Sequence, residues 1–290
     1  YFTASTLNAG TYNVFINCTD GSGNIGNGTN ITITVNGAPV VESIRINTTD
    51  ITTNNTNQNI SANLSVSDVN GGSIKPIYNW LVNGTNYSRA GKSITVLNMP
   101  FEEVNGTNFS NAWDYSGYGN NGSDQGSIYW NASGGFDGNG TYEFDGIDDF
   151  IMLTGYNGIG GTDSRTTTLW FKSTDTDHQS LVVWGPNSAG SKYHIRVDGS
   201  NGDALRVEVN GGYVYGSTDI TDGNWHHLAV TFSGTDVTDH LLYVDGQLET
   251  VGASATETMN TGTTWAVRIG SDPHHSRFTD GTIDEVMIFN

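Results

Sequence analysis

The sequence has a single cysteine, Cys18, only five prolines, and only 11 basic residues among 290. One cysteine excludes a disulfide within the chain, and with it a small cross-linked scaffold. The shortage of bases excludes a nucleic-acid partner, because binding phosphates needs a basic patch. No run of 18 apolar residues occurs, so no helical membrane span is expected. Catalytic signatures are scarce too. There is no nucleophile elbow and no cysteine-containing site motif, although counting residues does not decide on a Ser-His-Asp arrangement. The alternating Glu-x-Asp-x-Glu or Glu-x-Asp-x-x-Glu pattern, which would place two carboxylates on one strand face for glycoside hydrolysis, is also missing. The chain therefore reads as non-enzymatic. It opens on Tyr1 without a visible signal peptide, as a mature product or a piece of a longer chain would.

What is abundant is glycine, 38 residues, with Thr, Asn and Ser and 11% aromatics. That composition suits many short strands joined by tight turns, an all-β fold. Charge is divided unevenly. Residues 1–100 carry four acids and four bases, while 101–290 carry 26 acids and seven bases, which accounts for the whole net charge of −19. Asn-x-Ser/Thr sequons are also uneven. They fall at Asn17, Asn27, Asn30, Asn47, Asn54, Asn59, Asn63, Asn83, Asn86, Asn105, Asn108, Asn121, Asn131 and Asn139, and nowhere later. Read functionally, they describe an exported, cell-surface protein with a sugar-coated first half; an Asn- and Thr-rich sequence also generates such triplets by chance.

Three segments follow from the patterning. In residues 1–39, Tyr12, Val14 and Ile16 alternate with polar residues, as do Ile31, Ile33 and Val35, around a Gly/Asn turn. Residues 40–96 hold three further alternating runs, "VESIRIN", "ANLSVSDVNG" and "PIYNWLVNGTNY", with Trp80 as the expected core tryptophan. From residue 97 to 290, about a dozen short strand patterns succeed one another without a helical stretch, which predicts a two-sheet sandwich. The turn "GTYNV…CTDGSGN" resembles the closing strands of immunoglobulin-like surface repeats. The run "DYSGYGNNGS", "YEFDGIDDFI", "TLWFK", "DGNWHHLAVTF", "LYVDGQL" and "IDEVMIFN" resembles, in that order, the laminin-G-like, concanavalin A-like jelly roll over residues 97–290. The combination is similar to archaeal or bacterial cell-surface proteins, in which the jelly roll can be an insertion within an immunoglobulin-like repeat.

The two immunoglobulin-like segments each lack strands, so strand addition is expected, either from copies of the chain or from neighbouring surface-protein domains. Residues 1–98 alone are not expected to fold as a stable monomer. The work implied is structural or adhesive, as part of a surface layer, stalk or filament. The alternatives are a calcium-dependent lectin-like module and the ancillary domain of a glycoside hydrolase.

Candidate sites are few. His226 and His227, in the stretch from Asp222 to Leu248, are adjacent on an expected strand and point to opposite faces, so they cannot share a metal. Asp245-Gly246 suits a tight hairpin turn. The loop "DYSGYGN", Asp114–Asn120, has an Asp at its start and an Asn at its end, a mixture of oxygen donors and glycines that suits Ca2+; the same residues also suit a plain turn. The jelly-roll resemblance implies a structural Ca2+ between an early loop and the last strand, with Asp114, Asn120, Asp284 and Glu102 (or Glu103) as ligands. Sugar recognition by stacking aromatics points to Trp184 and Tyr193, with Tyr213 and Tyr215, and to His274, His275 and Arg277 in the loop "SDPHHSRF". Asp145, Asp148 and Asp149 in "FDGIDDF" read as a turn motif.

Overall fold

A computed structural model describes residues 10–14, 17–19, 25–27, 31–35, 40–48, 60–68, 81–82, 92–102 and 111–290. The chain divides into two compact units, residues 1–78 and 79–290. All described secondary structure is strand except one turn of 3-10 helix, Val237–Asp239. Among the described residues no helix is long and apolar enough to cross a membrane.

In the first unit the alternating runs pair locally. Gly10–Val14 lies antiparallel to Ile31–Val35, with Tyr12 opposite Ile33. Asn17–Thr19 pairs with Ile25–Asn27, and Val40–Thr48 pairs with Ile60–Ser67. Trp80 and Ile16 lie outside the described residues.

The second unit is a sandwich of two large antiparallel sheets. The nine-stranded sheet runs Asn111–Ala112, Gly122–Gln125, Phe150–Leu153, Val267–Ile269, Ser180–Trp184, Tyr193–Asp198, Ala204–Glu208, Tyr213–Asp219 and Ala253–Ala255. In the eight-stranded sheet, the order is Tyr129–Asn131, Thr141–Asp145, Asp280–Phe289, Arg165–Lys172, His226–Phe232, His240–Val244 and Gln247–Leu248. Along one edge, the long strand Asp280–Phe289 meets Thr141–Asp145 with its first half and the eighth strand, Thr95–Met99, with its second. Such neighbours, distant in sequence, mark a jelly roll rather than a meander.

The period of two builds the core. In His226–Phe232, Leu228, Val230 and Phe232 are buried while His227, Ala229 and Thr231 are half-buried on the other face. The facing sheet contributes Tyr193, Ile195 and Val197. The hairpin after Val244 turns on Asp245 and Gly246, with φ of 51° and 76°, the left-handed conformations that a two-residue turn between twisted strands requires. One irregularity matters for the site. Opposite Arg165–Lys172, the last strand carries a bulge: Thr168 faces Met287 and Trp170 faces Asp284, so Glu285 and Val286 together face Leu169. Glu285 takes φ 52° there, which turns its side chain off the regular alternation.

Candidate functional site

The outward face of the nine-stranded sheet carries two rows of side chains that cross its strands. Register places Val183 beside His194, His194 beside Glu208, and Glu208 beside Tyr213. The next row places Ser180 beside Arg196, Arg196 beside Arg206, and Arg206 beside Tyr215. Because Tyr193, Ile195 and Val197 point into the core, alternation sends His194, Arg196 and Asp198 outward.

These charges interlock. Lys192 Nζ lies 3.2 Å from Glu208 Oε1 and 3.4 Å from Asp272 Oδ2. Arg196 Nε lies 3.2 Å from Glu208 Oε2. Arg206 reaches both Asp198 Oδ2, at 2.9 Å, and Glu208 Oε2, at 3.0 Å, while its guanidinium covers the Tyr213 ring at 3.9 Å. Tyr213 and Tyr215 stack at 6.2 Å and are half-buried. At the other end Arg268 lies over the Phe150 ring. The loop between Ser271 and Phe278 closes over one side. Asp272 accepts from His274 N and pairs with His275 Nδ1 at 2.7 Å. His178 sits across from it, its Nδ1 3.0 Å from Arg196 Nη1.

Five of the seven bases of residues 101–290 (Lys192, Arg196, Arg206, Arg268 and Arg277) therefore belong to this one face or its rim. Burial alone would raise the pKa of Glu208, but Lys192, His194, Arg196 and Arg206 hold it at about 2. Against its own burial, Asp272 is held well below the carboxylate range by His194, Lys192 and its hydrogen bonds. Burial, then Lys192, pushes His194 well below the ordinary histidine value. Burial, followed by Arg196, lowers His178, in keeping with an unprotonated Nδ1 that accepts from the guanidinium. Several polar atoms of the cluster (His194 Nδ1, Arg206 Nε, Ser271 Oγ, His274 Nε2 and Arg277 Nη1) are buried without a hydrogen-bond partner. Buried polar atoms of this kind are ordinarily satisfied by water or a ligand.

The structure corrects the sequence reading of the sugar-stacking residues. Trp184 and Tyr193 are 1% and 0% exposed and pack on each other at 4.2 Å within the core. Their rings have no open face, so they cannot stack on a sugar. Burial pushes the Tyr193 phenol up to about 12. His274, His275 and Arg277 do come to the charged face. Sequence reasoning missed Lys192, His194, Arg196, Arg206, Glu208, Asp272 and His178 there.

The residues of the expected Asp114–Asp284 calcium link have hydrogen-bond partners within the chain. Asp114 is engaged in its own turn. Its Oδ1 accepts from Asn98 N and Ser116 N, and its Oδ2 from Ser116 Oγ and Asn120 N, all at 2.7–2.9 Å. Asn120 Nδ2 donates to Val96 O. The buried Asp284 carboxylate accepts from Phe136 N and Glu285 N. Glu102 instead joins Asp137 and Glu285, whose ligand oxygens lie within 4.8 Å of one another. The bulge at Glu285 and the glycine-rich loop after Ser133 assemble this group. A Cβ on Gly135 would stand 2.7 Å from Asp284 Oδ2, so glycine lets the loop approach the last strand. Glu103 lies outside the described residues.

Of the sequons, Asn121 Oδ1 accepts from Asp114 N, Asn131 Nδ2 donates to Glu143, and Asn139 Nδ2 donates to Asp137. Asn17, Asn27, Asn47 and Asn63 lie in strands. Asn30, Asn54, Asn59, Asn83, Asn86, Asn105 and Asn108 lie outside the described residues.

His226 binds the hairpin together. Its Nδ1 lies 2.9 Å from Asp245 Oδ2 and its Nε2 3.2 Å from Asp222 Oδ1. Burial pulls its pKa down, but the hydrogen bonds to Asp245 and Asp222 outweigh burial and raise it.

Among solved structures, the chain is similar to domain 4 of AbnA, a GH43 extracellular arabinanase from Geobacillus stearothermophilus, in complex with arabinotriose. The two are 20% identical over 68% of this chain and 92% of that one, with a TM-score of 0.51. It is also similar to a botulinum neurotoxin type C whose cell entry depends upon interaction with two ganglioside molecules, at 15% identity over 67% of this chain and 47% of that one, with a TM-score of 0.44. No curated protein matches the chain in sequence. Residues 144–290 match the laminin-G-like family described as the concanavalin A-like lectin/glucanases superfamily, and by that match, over half of its length, the chain belongs to this superfamily.

Proposed function

We propose that the jelly roll is a non-catalytic glycan-binding module of an exported surface protein, and that the accessible part of the nine-stranded sheet's outward face (Arg206, Glu208, Tyr213 and Tyr215 with the loop from His274 to Arg277) is its binding surface. The observation that carries this reading is the pair of cross-strand rows. They combine paired aromatics with planar guanidinium and carboxylate groups, the chemistry that holds sugar rings by stacking and sugar hydroxyls by paired hydrogen bonds. The arabinotriose complex of the similarly folded arabinanase domain is in keeping with an oligosaccharide ligand. Lys192, Arg196 and Arg206 are paired with Asp198, Glu208 and Asp272, so the carboxylate or sulfate of an acidic sugar would meet Arg277, whose Nη1 has no hydrogen-bond partner.

A glycan array followed by calorimetry tests the reading. Binding of an acidic oligosaccharide is expected, weakened about tenfold, that is by about 1.4 kcal/mol, in Tyr213→Ala and in Arg277→Ala with unchanged melting. An array without hits, or affinities unmoved by both substitutions, overturns it.

A structural Ca2+, implied by the family resemblance, fits Glu102, Asp137 and Glu285 better than Asp114. All-oxygen donors within 4.8 Å suit a hard cation, and the ion would supply charge that ties the loop around Asp137 to the last strand. Chelation is then expected to lower the melting temperature of the wild type, while Glu285→Gln removes that part of the response.

The first unit favours an adhesive or stalk role beside this. Its described strands form two-stranded pairs, which are marginal alone in water and are stabilised by strands added from a neighbouring domain or a second copy.

A further inference from the structure

The turn that carries the chain from Thr141–Asp145 in the eight-stranded sheet to Phe150–Leu153 in the nine-stranded sheet gathers three carboxylates. One ligand oxygen each from Asp145, Asp148 and Asp149 lies within 4.8 Å of the others. Asp149 is only 4% exposed, and its Oδ1 is buried without a hydrogen-bond partner. Its other oxygen accepts from Asp145 N at 3.1 Å, and Asp145 Oδ1 accepts from Ile147 N at 2.8 Å. None of the three makes an ion pair with a basic side chain among the described residues.

The turn is closed from one side by Gly126, at φ 90°. A Cβ there would come within 2.6 Å of both Asp148 O and Asp149 Oδ1, so only glycine lets the neighbouring chain shut over the buried oxygen. A buried carboxylate oxygen without a donor, surrounded by like charge, is costly unless it meets a proton or a cation.

We infer that Asp145, Asp148 and Asp149 bind a divalent cation of the calcium class. Three carboxylates without histidine or thiol favour a hard, oxygen-seeking ion over zinc or copper. Asp145 ends the strand that begins near the Glu102 group. At about 3.3 Å per residue, the two groups stand at opposite ends of that strand and cannot share an ion. The cation would fix the turn against the start of the last strand, where Asp145 pairs with Asp280.

The test uses the full chain, stripped with EDTA, exchanged into chelator-free buffer and titrated with CaCl2 by calorimetry. The wild type is expected to bind Ca2+ at this turn, and Asp148→Asn, an exposed substitution that leaves the core untouched, to weaken that binding at least tenfold. Asp149→Asn is expected to do the same. Glu285→Gln is expected to leave it intact. Should Asp149→Asn fail to fold, Asp148→Asn alone decides. Unchanged Ca2+ binding in Asp148→Asn, or loss of all Ca2+ binding in Glu285→Gln, overturns the inference. Loss of binding in Asp148→Asn while Glu285→Gln behaves as wild type supports it, even if the Glu102 group binds nothing.

Discussion

The two sheets of the jelly roll use the same alternation to different ends. On the eight-stranded sheet the outward positions are Thr166, Thr168, Trp170, His227, Ala229 and Thr231, all half-buried. Phe136 stacks on Trp170 at 3.3 Å, and His227 meets the edge of the same ring. On the nine-stranded sheet the corresponding positions are His194, Arg196 and Asp198, at 0%, 3% and 1% exposure. One face is neutral and tolerant, in the sense that little there depends on a single partner. The other is ionic and interdependent, since each charge is buried on the strength of its neighbours. A sandwich core needs only its inward residues, so the outward residues of each sheet are free to differ, and here they make one neutral face and one ionic face.

Removing one member of the ionic face should produce the largest effect. Asp272→Ala removes one of the two carboxylates that face the fully buried Lys192 and leaves Glu208 at 3.2 Å, so a cost of about 3 kcal/mol, the low end of the penalty for breaking a buried pair, is expected in urea unfolding. A cost below 1 kcal/mol would mean that Glu208 alone serves Lys192, and the contrast between the faces would lose its basis.

Acidification should act next. His194 is held well below the ordinary histidine value by burial and Lys192, burial holds His240 at about 4, and His178 and His227 are lowered chiefly by burial. The unfolded chain takes up protons below about pH 6.5 that these folded sites decline, so stability falls as pH falls from 7 to 5. His240 alone accounts for about 2 kcal/mol of that fall. His226 has the opposite sign. Its raised pKa contributes stability that is present below about 6.5 and is lost as pH rises through its folded value. Denaturant titrations at pH 5, 6 and 7 should show the net loss in acid. His194→Gln, on the ionic face, should flatten the curve more than His227→Gln does on the neutral one.

The smallest expected effect is on the neutral face. Thr168→Ala should shift stability by about 1 kcal/mol or less and leave glycan binding untouched. A change as large as that of Asp272→Ala would show that both faces are equally built.

Much of the sandwich was legible in the sequence, because strands with one buried face betray themselves by alternation. His226–Phe232 and the Asp245-Gly246 turn were read from pattern alone. Tyr193–Asp198 shows where that reading stops. Every residue in it is buried, so alternation separates two faces without saying which one is the core, and Tyr193 reads equally as a sugar-stacking aromatic. The ionic face was illegible for a related reason. Its members come from several strands and the loops between them, and each charge, taken alone, looks like an ordinary solvated position. Glu102 was identified as a candidate ligand while its partners were not, since the bulge that brings Glu285 round leaves no periodic trace.

The first and last strands of the jelly roll carry a mechanical consequence. Thr95–Met99 lies antiparallel to Val286–Phe289, and Asn290 N donates to Ile94 O at 3.1 Å. Tension applied at residues 94 and 290 therefore pulls across the ladder at its very end. Antiparallel bonds run perpendicular to the strands, so such a load meets them one rung at a time, like a zip, rather than all together in shear. A domain loaded this way yields at low force and lengthens.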